Sequence, residues 1–113
     1  MQLSQAEITQ QNQQQYSISG TLDFSTVPGL MQSVKDYFKP HRTSAASQAA
    51  AEKITIDLSQ ITECNSAGLA LLLEIVKHAS LYNIKLHFEN LPVTLMTIAR
   101  AYGIESEIRD ICK

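Results

Sequence analysis

Residues 54–73 read ITIDLSQITECNSAGLALLL, and this stretch decides the fold. Apolar and polar residues alternate at its start, which is typical of a β-strand with one buried face. A polar bend, Asn65-Ser66-Ala67-Gly68, then leads into a nearly all-apolar segment of helical length. The order predicts a strand, a turn and a helix, with the hydroxyl of Ser66 at the helix N-terminus, where unpaired N–H groups and the helix dipole favour a negative charge.

Ser66 has three possible roles in this position. It can cap the helix, it can contact a partner, or it can carry a phosphate that the helix end stabilises. Asn65 is an equally good cap, so capping alone does not require the serine. The sequence therefore singles out Ser66 as a candidate for phosphorylation or for contact with a partner, and leaves the choice open.

The N-terminal part of the chain predicts a hairpin followed by a helix. Leu3–Thr9 and Tyr16–Thr21 alternate weakly around the polar tract Gln10–Gln15, which we interpret as the connecting loop. Ser25 to Pro28 predicts a helix start with a hydroxyl cap and a proline in the first turn, and Pro40 ends that helix. The small, polar residues 41–52 follow, and we expect a flexible loop there.

The rest of the chain alternates strands with helices. Lys53–Leu58 predicts a strand, Gly68–Tyr82 a helix, and Lys85–Glu89 a strand with one apolar and one polar face. Leu91-Pro92 opens a third helix, Gly103 suits a left-handed C-terminal cap, and the tail can add a short strand or helix. We therefore predict a single α/β domain over residues 1–113, with two layers, a mixed sheet of four to five strands, and helices mainly on one face.

Composition excludes several classes of function. The net charge of −2 and the scattered Lys and Arg residues argue against nucleic-acid binding. No segment approaches the roughly 18 apolar residues of a membrane span, and the N-terminus lacks a signal pattern, so we expect a cytoplasmic protein without direct membrane insertion. Cys64 and Cys112 lack metal-type spacing, and the sequence contains no phosphate-binding loop and no GxGxxG, GxSxG or HExxH motif. We expect neither an enzyme nor a cofactor nor a metal site.

The second helix is apolar over most of its circumference, whereas an amphipathic surface helix needs an apolar arc of only about 100°. Deep burial on all sides is hard to arrange in a two-layer protein, which favours a partner-facing edge around Leu71 and Ile75. Plain core is the alternative. The predicted partner interface comprises the turn and the start of this helix: Asn65, Ala67, Gly68, Leu69, Leu71, Leu72 and Ile75.

Two aspartates lie at predicted strand ends, where α/β folds gather functional groups. Asp23 ends the second strand and Asp57 ends the central one. Two carboxylates at one rim can bind a metal or act as an acid–base pair, but no further ligand completes such a site. We interpret both as turn-forming aspartates that accept hydrogen bonds from nearby backbone.

With these residues identified, the chain resembles the STAS domain family, the module of anti-sigma-factor antagonists and sulfate-transporter tails. The matching motifs are Gly20-Thr21-Leu22-Asp23, Ile56-Asp57-Leu58-Ser59 and Asn65-Ser66-Ala67-Gly68-Leu69. Within the family, GLALLLEIVKHA and LMTIARAYGI most resemble the standalone STAS subunit of the Mla phospholipid-trafficking ABC transporter of Gram-negative bacteria.

This resemblance implies a cytoplasmic accessory subunit, peripheral to the inner membrane through its partner. It would bind the transporter's ATPase in a complex that maintains outer-membrane lipid asymmetry. The alternative is an anti-sigma-factor antagonist whose partner is a serine kinase, because the position of Ser66 is the one phosphorylated in those relatives. Asn65 stands where the family pattern has an aspartate, which favours the constitutive subunit.

Overall fold

The computed structural model describes residues 5–39 and 52–111. In these two ranges the chain forms four strands and four helices. In chain order they are β1 (Ala6–Asn12), β2 (Gln15–Leu22), α1 (Val27–Phe38), β3 (Glu52–Cys64), α2 (Ser66–Leu81), β4 (Ile84–Glu89), α3 (Val93–Ala101) and α4 (Glu105–Ile111).

The four strands lie in one mixed sheet in the order β1-β2-β3-β4. β1 and β2 form an antiparallel hairpin, whereas β2 and β3, and then β3 and β4, pair in parallel with a helix between each pair. The structure thus confirms the predicted α/β fold with a mixed sheet.

One face of the sheet forms the core together with the helices. The strands contribute buried residues at alternate positions, and α1, α2 and α3 lay their apolar sides over them. The other face carries polar side chains that are exposed or half-buried, such as Ser17, Thr55 and His87. This division is the predicted two-layer arrangement. The fully buried side chains of the sheet include Ile18, Leu22, Ile54, Ile56 and Phe88.

The hairpin differs from the prediction at its loop. Gln10 and Asn12 belong to β1, and the strands are joined only by Gln13 and Gln14. Asn12 shapes this turn, since its Oδ1 accepts a hydrogen bond from the backbone N–H of Gln14 at 2.8 Å. The prediction of a Gln10–Gln15 loop was wrong because glutamine has no strong preference, and pairing with β2 extends the strand.

The start of α1 matches the prediction, but its capping does not. The hydroxyl of Thr26 accepts from the backbone N–H of Asp23 at 3.0 Å and donates to the carbonyl of Thr21 at 2.7 Å. It therefore tightens the turn before the helix and caps no helical N–H. Pro40 and most of the predicted loop, residues 40–51, lie outside the described residues.

The C-terminal region ends in two short helices joined by Gly103. This residue has φ of 75°, the left-handed conformation predicted for it. Its N–H bonds to the carbonyl of Arg100, and the N–H of Ile104 bonds to that of Ala99, which together close α3. The tail then forms α4, where Glu105 accepts hydrogen bonds from Arg100 and Arg109, each at 2.9 Å from its Nη2.

Candidate functional site

The turn between β3 and α2 is held by Asn65. Its backbone N–H donates to the carbonyl of Leu22 at 3.1 Å, which ties the turn to the end of β2. Its side-chain oxygen accepts from the N–H of Ala67 at 2.8 Å, so Asn65 is the N-cap of α2. Since an aspartate makes the same bond, the departure from the family pattern at this position preserves the cap.

Ser66 is the first residue of α2, at the N-terminal end of a helix of 16 residues. Its side chain is half-buried, and its hydroxyl makes no hydrogen bond to any residue within 5–39 or 52–111. Asn65 already satisfies the capping requirement, so the hydroxyl is available to a partner or to a modifying enzyme. The helix N-terminus beside it favours a negative charge.

Ala67 and Gly68 are small because they point into the core. A Cβ added to Gly68 would lie 3.1 Å from Cβ of Leu22 and 3.3 Å from Cδ2 of Leu95. The helix therefore approaches β2 and α3 at the same point. This close contact fixes the position of Ser66 relative to the end of β2 and the start of α3.

The prediction of a partner-facing edge around Leu71 and Ile75 was wrong for the side chains themselves. Both are fully buried, Ala67, Leu69 and Leu72 are at most 3% exposed, and Gly68 is buried as well. The physical reason is that α2 is the central helix, in contact with α1, with α3 and with β4. Three sides of the helix are thus covered even in a two-layer protein. The buried members of the predicted interface are Ala67, Gly68, Leu69, Leu71, Leu72 and Ile75.

The free side of α2 is a stripe that begins at Ser66. Ala70, Leu73, Lys77 and Leu81 follow it at intervals of three or four residues, and all four are exposed. Leu73 is 41% exposed and Leu81 is 67% exposed. The exposed apolar residues of this helix therefore differ from those that the sequence suggested.

Two further exposed apolar side chains belong to segments that contact the β3–α2 turn or the first turn of α2. Phe24, 73% exposed, lies two residues beyond Leu22, whose carbonyl binds Asn65. Val93, 81% exposed, opens α3 two residues before Leu95, which packs near Gly68. We call the surface formed by Phe24, Asn65, Ser66, Ala70, Leu73 and Val93 the α2 N-terminal surface.

Sequence reasoning missed Phe24 and Val93. Both precede or open a helix, where the apolar period that marks a core face has not begun. The available signal was their position outside the helical stripes of α1 and α3, since an apolar residue off the stripe faces solvent.

The two aspartates do not meet at one rim of the sheet. Asp57 was predicted to end the central strand, but β3 continues to Cys64. Asp57 pairs with Ser17, and Asp23 follows Leu22 six residues beyond Ser17, so Asp23 lies roughly 20 Å further along the sheet at about 3.3 Å per residue. An acid–base pair of these two carboxylates is therefore excluded by geometry.

Each aspartate instead organises its own turn, in agreement with our interpretation of the sequence. Oδ1 of Asp23 accepts from the backbone N–H groups of Ser25 and Thr26, at 2.8 and 3.0 Å. Oδ1 of Asp57 accepts from Nδ2 of Asn90 at 2.7 Å, and its Oδ2 accepts from the hydroxyl of Ser59 at 2.7 Å. The donors Asn90 and Ser59 lower the pKa of Asp57 below its usual value, because they stabilise the carboxylate.

The part of the chain that the structure describes contains no cluster of three or more potential metal ligands. Over the same residues, no helix is both long enough and apolar enough to cross a membrane. Cys64, directly before the turn, is half-buried, and burial raises the pKa of its thiol. The thiol is therefore a poor nucleophile at neutral pH.

Comparison with known proteins adds a family to this geometry. The family model described as MlaB, STAS domain matches residues 6–110 of the chain. The chain belongs to the MlaB-type STAS domain family. No curated protein matches it.

Among solved structures, this STAS domain is similar to the anti-sigma factor antagonist SpoIIAA in its unphosphorylated form. The TM-score is 0.61 and the identity 15%, with 92% of this chain and 84% of the other covered. At that identity the likeness establishes the fold alone. The β3–α2 turn and the helix layer described above are thus the elements of a STAS fold.

Proposed function

We propose that this STAS domain is a non-enzymatic accessory subunit of a phospholipid-transport ABC complex. It binds the ATPase subunit on the cytoplasmic side of the inner membrane and supports the complex that maintains outer-membrane lipid asymmetry. The observation that carries this proposal is the match of residues 6–110 to the MlaB-type family model. The exposed residues around the start of α2 support a proposed place of contact.

The α2 N-terminal surface is the docking site in this proposal. It combines three exposed apolar side chains, Phe24, Leu73 and Val93, with the small polar turn at Asn65 and Ser66. Protein interfaces draw most of their binding energy from a few large anchors surrounded by contacts that exclude water. Phe24 and Leu73 replace the buried Leu71 and Ile75 as the proposed anchors, because only exposed side chains can enter a partner's pocket.

Ser66 lies between these anchors in the proposed complex. An aspartate at the first position of a helix is favourable to the helix itself, so Ser66→Asp keeps the fold. In the complex it places an unpaired charge in a desolvated contact. We expect ATPase binding by Ser66→Asp to fall by at least roughly tenfold, while Ser66→Ala stays within about threefold of wild type. Isothermal titration of each variant with the purified ATPase measures this, and equal affinities for the aspartate variant and wild type would contradict it.

Affinity purification of the tagged protein from its native host tests the identity of the partner. Recovery of an ABC ATPase together with its permease supports the proposal, and recovery of neither contradicts it. Leu73→Ser and Leu81→Ser form a matched pair of variants, since they make the same exchange on the same exposed stripe of α2, eight positions apart. We expect Leu73→Ser to lose the ATPase and Leu81→Ser to retain it.

The second candidate function is an anti-sigma-factor antagonist that a serine kinase switches off. It is favoured by the hydroxyl of Ser66, which makes no hydrogen bond to the described residues and lies at the N-terminus of a 16-residue helix, where a phosphate is electrostatically stabilised. A phosphate adds roughly two negative charges to the α2 N-terminal surface. These charges repel an acidic partner, and they weaken contact with an apolar partner because the phosphate would lose its hydration.

Purified protein incubated with the cognate kinase and ATP should then gain one phosphate, located on Ser66 by peptide mass analysis. Ser66→Ala is the control that must remain unmodified. An intact mass without any addition would exclude the switch and leave the transporter subunit as the proposed function.

A further inference from the structure

The face of the sheet that the helices leave open carries charge in an ordered pattern. Lys53, Thr55 and Asp57 alternate with buried residues of β3, and Lys85, His87 and Glu89 alternate with buried or half-buried apolar residues of β4. All six side chains are exposed or half-buried. We call these six residues the open-face rows.

The register between the two strands places like charges side by side. Lys53 pairs with Lys85, Thr55 with His87, and Asp57 with Glu89. One end of the open-face rows therefore carries two cations and the other end two anions, about 13 Å away at roughly 3.3 Å per residue. Neighbouring like charges repel, so each end favours contact with the opposite charge.

Few groups within the described residues offset this pattern. No ion pair in that part of the chain involves Lys53, Lys85 or Glu89. Asp110 of α4 lines the same depression as the two lysines and His87, and its carboxylate lowers the positive potential there. At the other end, Asp57 accepts hydrogen bonds from neutral donors and keeps its negative charge.

We propose that the open-face rows are a contact surface for a second copy of this chain. The two copies are related by a two-fold axis that passes between their open faces at the level of Thr55 and His87. The axis is parallel to the face and perpendicular to the strands, so the strands of the two copies run antiparallel. Lys53 and Lys85 of each copy then meet Asp57 and Glu89 of the other. The pattern is its own complement, as a two-fold interface requires, because the same patch serves on both copies.

The contact is weak and sensitive to salt. The open-face rows span only two strands, so each copy buries far less area than the roughly 800 Å² per partner that a stable complex buries. In addition, exposed ion pairs are screened at physiological ionic strength. The self-contact leaves the α2 N-terminal surface free, because the helices cover the opposite face of the sheet. This inference is therefore independent of the proposed function.

Sedimentation velocity of the full-length chain at about 0.5 mM tests the self-contact. We expect a dimer in about 50 mM salt and a fall of roughly tenfold in the association constant by about 500 mM salt. A wild-type chain that remains monomeric under both conditions would overturn the proposal, since the face would then be solvated or covered by another partner.

Exchange of charges on β4 tests the orientation of the copies. Lys85→Glu and Glu89→Lys each create repulsion in their own dimer, so each alone should lose roughly tenfold in association. Mixed together, the two variants place opposite charges across the contact, and the mixture should return to within about threefold of wild type. Lys77→Glu, the same exchange on the helix face, is the matched control and should leave the dimer unchanged. An association constant that neither β4 exchange changes would also overturn the proposal.

Discussion

The two sides of α2 carry the same kind of residue in different surroundings. On the covered side Leu71 and Leu72 are fully buried, whereas on the free side Leu73 and Leu81 are 41% and 67% exposed. Leu72 and Leu73 are consecutive in the chain, so composition cannot distinguish them. The contacts of α2 with α1 and α3 distinguish the two leucines, because these flanking helices cover one part of the circumference of α2 and leave the rest exposed. The buried side of α2 therefore stabilises the fold, and the exposed side is available for binding.

The largest expected effect contrasts these two neighbouring leucines. Leu72→Ala removes a fully buried side chain and leaves a cavity, so we expect a loss of about 2–5 kcal/mol in the free energy of unfolding. Leu73→Ala removes a partly exposed side chain and should cost under about 1 kcal/mol. Urea unfolding of both variants measures this. Equal losses would show that Leu73 belongs to the core and would weaken its assignment as a docking anchor.

Two helical glycines extend the contrast to the backbone. A Cβ on Gly68 meets Leu22 at 3.1 Å, whereas a Cβ on Gly29 in α1 meets nothing within 4 Å. Gly29→Ala should therefore stabilise the protein by about 0.5–1 kcal/mol through helix propensity alone. Gly68→Ala gains the same propensity but forces β2 and α2 apart, and we expect a net loss of about 1 kcal/mol. Thermal unfolding of both variants shows whether each exchange raises or lowers the stability. Stabilisation by both exchanges would show that the packing at Gly68 is loose.

The cap of α2 separates Asn65 from Ser66. Asn65→Ala removes the acceptor of the Ala67 N–H, which should cost about 1 kcal/mol. Ser66→Ala removes a hydroxyl without a hydrogen bond in the described part of the chain, and its stability should match wild type within about 0.5 kcal/mol. Chemical denaturation of both variants measures the two changes in the free energy of unfolding. A stability loss at Ser66 equal to that at Asn65 would return the serine to a capping role.

The smallest effect concerns Asp57 on the open side of the sheet. Asn90→Gly removes its strongest donor, and glycine tolerates the positive φ of 58° at this position, so the pKa of Asp57 should rise towards its usual value. A depressed pKa stabilises the folded state above the usual value of 3.8, and that stabilisation is lost as the pH falls through the folded-state pKa. The variant should therefore lose stability near neutral pH and show less further loss on acidification.

NMR titration of the Asp57 carboxyl group measures the shift directly. Asn83→Gly is the matched control, because Asn83 also has a positive φ, 57°, but lies after α2, away from Asp57. The control should leave the Asp57 titration unchanged. An unaltered pKa in Asn90→Gly would show that Ser59 alone holds the carboxylate.

The order of elements and the α/β fold were predictable because apolar period and local signals agreed along most of the chain. The cap at Asn65 and the left-handed Gly103 are local features of the sequence, and the structure confirms both. The extent of β3 was not predictable in this way. The polar residues after Leu58 suggested an end, yet the strand runs 13 residues because β2 pairs with it through two irregularities in register.

The candidate site was likewise predictable only where local sequence signals determine it. The position of Ser66 at the mouth of α2 followed from the turn residues and from helix capping. The burial of Leu71 and Ile75 and the exposure of Phe24 and Val93 depend on how α2 sits between its neighbours, which is tertiary information. A helix that is apolar most of the way round indicates a central position in the layer, and this is the lesson that transfers to other sequences.

The pairing of the sheet also has a kinetic consequence. β1 and β2 are joined by two residues, so their hairpin can close in microseconds. β2 and β3 pair in parallel between positions such as Gln15 and Thr55, about 40 residues apart, and this contact forms only after a long loop has been closed. The central pairing of the sheet, rather than the hairpin or the helices, should therefore limit the rate of folding.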